Sequence, residues 1–281
     1  MSVIVLAFSS CGKDDDGYEM PDIRRFTPNL RYTTRLEVPQ LAQTGTQFIQ
    51  HSTVIGSDSV MTYCLEYDLT RFHSRWVAFR FDGLTRGINV PRQDTWADDP
   101  SLDMKYRIGS GAFSGGVRGH ICASHDRRYS VEANKQTFYM TNMTPMDYDF
   151  NGRYWSKFEN YIQTLGRSTS FSDTLYIVKG GVIDDSGIKK VWAYSSQGKQ
   201  MPMPGHYFIA VLKLKAGKYS AIGFWVEHIK NAKSADISDV RNAAVKISQL
   251  EDKTGINFFH NLPDGIENQV ESTLSYADWE L

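Results

Sequence analysis

Apolar and polar positions alternate along much of this chain. Between residues 35 and 82, the segments RLEVPQ, QFIQHSTVI, VMTYCLEYDL and WVAFRFD are rich in β-branched and aromatic residues and predict strands of an antiparallel meander. Further β-favouring runs stand at 136–140 (QTFYM), 174–181 (TLYIVKGG), 201–212, where prolines lead, and 221–226 (AIGFWV). Two stretches have helical spacing instead. Trp155, Phe158, Ile162 and Leu165 lie 3, 4 and 3 residues apart; Val240, Ala244, Ile247 and Leu250 predict one helix over 237–252, capped by Ser238. Residues 141–145 read as a loop, because Pro145 cannot continue a central strand. The pattern predicts an α+β fold with a central antiparallel sheet flanked by helices.

Candidate chemistry concentrates between residues 115 and 165. Arg118 and His120 are two apart, so an extended segment turns them to one face, and Gly119 between them permits close approach. Imidazole titrates near neutrality and guanidinium offers a fork of donors suited to phosphate. Asn151, Trp155 and Glu159 are spaced by four, which puts an amide and a carboxylate on one side of a helix. Both are hard oxygen donors suited to Mg²⁺ that keeps most of its water. Taken singly these residues are ordinary: a solvated strand end, a helix cap at Asn151, a surface Glu159.

In order they are more specific. The run R-G-H, a strand, T-N-M-x-P, then F-N-x-x-x-W-x-x-x-E resembles the DNA/RNA non-specific endonucleases, the endonuclease G-like family of ββα-metal nucleases. The resemblance covers roughly residues 50 to 265 and implies a ββα-metal motif within the sheet-and-helix fold. By that resemblance His120 is the general base, and Asn151 is the protein ligand of a hydrated Mg²⁺, or Mn²⁺. Glu159 holds water on the metal, Asn142 supports the site geometry and Arg118 contacts phosphate. Arg92, in the loop NVPRQDTWADDP, is placed by context as a second phosphate contact. Two departures stand out: Val117 occupies a position that usually carries Asp, and Gln163 one that often carries Arg. The implied reaction is hydrolysis of DNA and RNA to 5′-phosphate ends with little sequence preference. The alternative is a catalytically weakened nucleic-acid-binding surface lipoprotein on a nuclease scaffold. A phosphoesterase of small esters and a purely structural lipoprotein are further alternatives.

Composition fits a folded domain: 41% hydrophobic, 13% aromatic and 22% charged residues over 281 positions. The formal charge of −1 provides no global basic field, so nucleic acid must be met by a local patch. Residues 1–11 end in small residues and Cys11 and resemble a truncated lipoprotein signal; residues 12–34 read as a polar tether and 35–281 as the nuclease domain. Gly12 to Asp16 resembles the signal for export to the outer cell surface, which gives an expected location in a bacterial envelope, facing outward, with membrane contact only through a lipid on Cys11. A homodimer or an inhibitor protein is compatible with this reading, though no residue argues for either. Cys64 and Cys122 are candidates for one disulfide or for two buried thiols. Asp126 and Arg127 read as an ion pair, and His51, His73 and His206 as packing or surface residues. The SGAFSGG segment is no P-loop, since it lacks the Lys-Ser/Thr.

Overall fold

The computed structural model describes residues 33–109, 113, 117–193 and 198–281. The predicted signal with Cys11, nearly all of the tether, and most of SGAFSGG lie outside the described residues. The strands are β1 (Thr46–Ile55), β2 (Asp58–Asp68), β3 (His73–Phe81), β4 (Val117–His120), β5 (Met143–Met146), β6 (Thr174–Gly181), β7 (Ile188–Ala193), β8 (Gln200–Pro204), β9 (His206–Lys215), β10 (Lys218–Glu227) and β11 (Ala244–Val245). The α-helices are α1 (Val131–Gln136), α2 (Ser156–Arg167), α3 (Ile237–Asn242), α4 (Ile247–Thr254) and α5 (Asp264–Ser272).

Seven strands form one antiparallel sheet in the order β1-β2-β3-β6-β9-β10-β11, and β4-β5 and β7-β8 form separate two-stranded ribbons. Central strands are apolar on both faces because both faces are covered. Val77, Phe79 and Phe81 of β3, with Leu175 and Ile177 of β6, pack into one core with Phe158, Ile162 and Leu165 of α2. Trp76, Ala78, Tyr176 and Val178 point the other way, into a second core with Ile247 and Leu250 of α4 and Val270 of α5. Gly166 allows α2 to approach β3, since a β-carbon there would collide with the Phe81 ring. Among the described residues, no helix is long and apolar enough to cross a membrane.

Several local expectations are corrected. Residues 35–37 form a bend and turn and 38–40 irregular chain, not a strand: Pro39 has no N–H to give a ladder, and Gln40 N donates to Asn257 O at 3.0 Å instead. QTFYM is the end of α1 and a single-turn helix at Met140–Asn142, and the strand comes later, where a loop was expected. Pro145 fits inside β5 because that ribbon has two strands only, so one edge needs no N–H. The single helix over 237–252 is two, split where β11 pairs with Gly223 and Phe224, and its cap is Asp236, whose carboxylate accepts from Ser238 N and Asp239 N. The proline-led strand is likewise two, β8 and β9. Cys64 and Cys122 are buried free thiols in different cores.

Candidate active site

The β4-β5 ribbon and the helix after it build the site. In the ribbon Arg118 pairs with Pro145 and His120 with Met143, so both side chains leave on one face. Trp96 confirms this: its ring lies 4.0 Å from the Arg118 guanidinium and 5.3 Å from the His120 ring. Phe138 packs beside Trp96 against His120, 5.0 Å from the imidazole and perpendicular to it. Gly119 packs so tightly on Met146 that a β-carbon would collide with its side chain.

After β5 the chain enters a π-helical turn, Phe150–Trp155, which continues as α2. Spacing alone predicts a regular helix here, with Asn151 as its cap. Instead Asn151 lies inside the widened turn, its N–H bonded to Asp147 O at 3.0 Å. Such turns concentrate at functional sites because they re-aim side chains that an α-helix would fix elsewhere. Asn151 and Glu159 then share a cleft of about 230 Å³ with Arg92, His120, Ser124, His125, Asn160 and Gln163.

Of the site residues read from the sequence, His120, Asn151, Glu159 and Arg92 line this one cleft, Arg118 flanks it through Trp96, and Asn142 lies behind it. Arg92 reaches in from its loop, donating to Ser124 Oγ at 3.1 Å and Asp94 Oδ1 at 2.7 Å, with its guanidinium over Phe138. Asn142 is fully buried, and its amide is spent on the backbone of Cys122 and Thr137. Arg118 has no hydrogen bond or ion pair among the described residues, which leaves its fork free. The His120 Nε2 is buried with no partner. Burial, and then the charges of Arg92, Lys179 and Arg118, push the His120 pKa down to about 3, so at neutral pH the ring is uncharged.

Lys179 is a site residue that sequence reading missed. It lies on β6 with 2% of its side chain exposed, and Nζ donates to Glu159 Oε1 at 2.9 Å. A lysine inside the buried run TLYIVKGG was the available signal, since such a charge demands a partner. The expected Asp126–Arg127 ion pair does not form. Asp126 accepts from Ala123 N and Gln163 Nε2, both at 2.9 Å, and lies 3.6 Å from Lys179. Arg127 is buried over Phe79 and Phe81 and donates to Arg80 O. His51 bonds Asp99 and His73 bonds Thr144, both buried, which makes them packing residues.

The donor set suits a hydrated hard cation. The Asn151 amide carries no protein hydrogen bond among the described residues. Glu159 has a second oxygen beyond the Oε1 that Lys179 holds, with the Trp155 indole beside the carboxylate, and the cleft is large enough for several waters at roughly 30 Å³ each. Among the described residues no cluster of three His, Cys, Asp or Glu could hold a metal. An ion here would therefore take few protein ligands and keep most of its water, as Mg²⁺ does.

An imidazole, a free guanidinium and oxygen donors stand together on a two-stranded ribbon and its following helix, the arrangement of a ββα motif. The chain belongs to the DNA/RNA non-specific endonuclease family, whose profile matches residues 44–265. It is 30% identical over 219 residues to "Nuclease" of Nostoc sp., covering 75% of each chain. It is 29% identical over 206 residues to "Nuclease EXOG, mitochondrial" of Danio rerio, covering 70% of this chain and 59% of that one. To "Endonuclease G, mitochondrial" of Homo sapiens it is 26% identical over 209 residues, covering 72% and 68%. The fold is like that of EndoG in its complex with EndoGI, with TM-score 0.62 and 20% identity, covering 78% of this chain and 89% of that one.

Proposed function

We propose that this chain is a metal-dependent, sugar-non-specific endonuclease that hydrolyses phosphodiester bonds of DNA and RNA. The observation that carries the reading is the meeting, in one cleft, of oxygen donors and Arg92 with an imidazole that has no hydrogen-bond partner among the described residues, flanked by the free guanidinium of Arg118. His120 is uncharged at neutral pH, as a base must be, and negative phosphate bound to Arg92 and Arg118 would offset the cations that weaken its basicity. With its hydrogen on the buried Nε2, the ring would leave the Nδ1 lone pair for the attacking water. Water adds to phosphorus as Nδ1 takes one of its protons; the P–O3′ bond breaks, O3′ leaves and takes a proton from solvent to become the 3′-hydroxyl, and the other fragment keeps the phosphate on its 5′ end. Arg118 and Arg92 hold the non-bridging oxygens. Asn151 would hold Mg²⁺ or Mn²⁺, with Glu159 acting through water, and the ion would supply charge stabilisation for the phosphate and the leaving oxygen. Contacts of this kind position a backbone without reading bases or distinguishing sugars.

The test is nicking of supercoiled plasmid and digestion of RNA with Mg²⁺ or EDTA, with His120→Ala run alongside. Mg²⁺-dependent cleavage of both, lost in the variant, is the expected result. A folded wild-type protein that binds nucleic acid yet cuts neither would replace this reading with the binding-protein alternative. We also propose, from sequence alone, that Cys11 carries a lipid anchor on an outward-facing envelope protein. Radiolabelled palmitate incorporated by wild type and lost in Cys11→Ala is the expected result; label retained in the variant rejects it.

A further inference from the structure

Two carboxylates and one ammonium meet beneath the cleft. Lys179 comes up from β6, the central strand under α2, with its side chain 2% exposed and its Nζ 5.7 Å from the Trp155 ring and 5.9 Å from that of Phe79. Both oxygens of Asp126 are already bonded, Oδ1 by Gln163 Nε2 and Oδ2 by Ala123 N. Lys179 lies 3.6 Å from Asp126 and 2.9 Å from Glu159, so its close bond is to Glu159 Oε1. That bond fixes one oxygen of Glu159 and leaves Oε2 for the cleft. A long carboxylate side chain without such an anchor samples several rotamers, whereas catalysis by a hydrated cation requires one.

We propose that Lys179 is a positioning residue, whose buried ammonium holds the Glu159 carboxylate in the one orientation that serves the cation and its water in the cleft. It touches neither substrate nor metal and acts only through Glu159. The inference rests on the nuclease reading above. A lysine that merely neutralised two buried acids would give the same fold but no dependence on Glu159.

A double-mutant cycle with Lys179→Met and Glu159→Gln tests it, read by kcat and KM on DNA and by Mn²⁺ affinity from the electron paramagnetic resonance signal of free Mn²⁺. Lys179→Met is expected to lower kcat about 10–100-fold and weaken Mn²⁺ binding about 10-fold, while KM for DNA moves less than about 3-fold. In the Glu159→Gln background the same change should alter each quantity by less than about 3-fold. Equal losses in both backgrounds, or no loss in the first, overturn the proposal.

Should Lys179→Met unfold, Asp126→Asn/Lys179→Met removes one charge of each sign and restores the balance of the cluster. The pair should fold and remain slow beside Asp126→Asn alone; a double variant as fast as that single variant overturns the proposal. A wild type that neither cuts DNA nor binds Mn²⁺ overturns the nuclease reading and this inference with it. Failure of the inference alone shows as a wild type that does both and a variant that matches it.

Discussion

The side-chain amide of Asn142 pairs with the backbone of Cys122 in both directions. Oδ1 accepts from Cys122 N and Nδ2 donates to Cys122 O, each at 2.8 Å, while Nδ2 also donates to Thr137 O at 2.8 Å. Cys122 lies two residues beyond His120, so this clasp fixes the exit of β4 and with it the imidazole. Asn142→Ala would leave three buried backbone groups unpaired, at about 1–3 kcal/mol each before relaxation. We expect a loss of roughly 3 kcal/mol in urea unfolding together with a lower kcat. An unchanged unfolding midpoint would show that the clasp is dispensable.

The general plan of the fold was legible because both periodicities were strong. β2, β3, β6 and β10 carry long apolar runs, and α2 carries its apolar residues at helical spacing. What failed was local. A four-residue ribbon such as β4-β5 shows no alternation long enough to read, and Pro145 argued against a strand by a rule that holds only for central ones. The π-turn at Phe150–Trp155 leaves the sequence looking helical, since widening one turn changes where Asn151 points without changing which residues are apolar. In the site, the ordered motif carried His120, Asn151 and Glu159. Lys179 and the Asp126–Gln163 bond depend on side chains from β6, α2 and the segment after β4, and no local window contains them.

Gly119 shows how tightly the ribbon is set. A β-carbon there would run into Met146, which is 1% exposed and cannot swing out to solvent. Gly119→Ala should therefore cost about 1–3 kcal/mol by overpacking and displace β4 from β5. Activity should fall further than that loss of stability explains, because the displaced strand carries both Arg118 and His120. A variant that is destabilised but fully active at low temperature would contradict this.

Acid should unfold the protein from an unusually high pH. Burial lowers the pKa of His73 to about 4 and that of His228 to about 4, against about 6.5 in an unfolded chain. Below pH 6.5 the unfolded chain binds protons that these folded rings refuse, so the stability they contribute is present above pH 6.5 and is lost as pH falls toward 4. Each group should cost roughly 2 kcal/mol at pH 5 relative to pH 7. Urea unfolding at the two pH values measures it. His73→Gln, which cannot titrate, should remove about half of the difference contributed by this pair.

The same reasoning gives His120 an unusual pH profile. Its imidazolium is disfavoured first by burial and then by Arg92, Lys179 and Arg118, which hold the pKa near 3. A general base must be uncharged to act, so kcat/KM, which reports the free enzyme, should show no loss of activity between pH 8 and pH 5 from this group. A bound phosphodiester brings negative charge to Arg92 and Arg118 and cancels part of their effect. The pKa seen in kcat should therefore lie above that seen in kcat/KM. Arg118→Ala removes one of the three cations and should move the acid limb of kcat/KM upward, toward the ordinary imidazole range. Should the wild-type profile instead bend at pH 6.5 and stay there in Arg118→Ala, the cations would not be setting the basicity of His120.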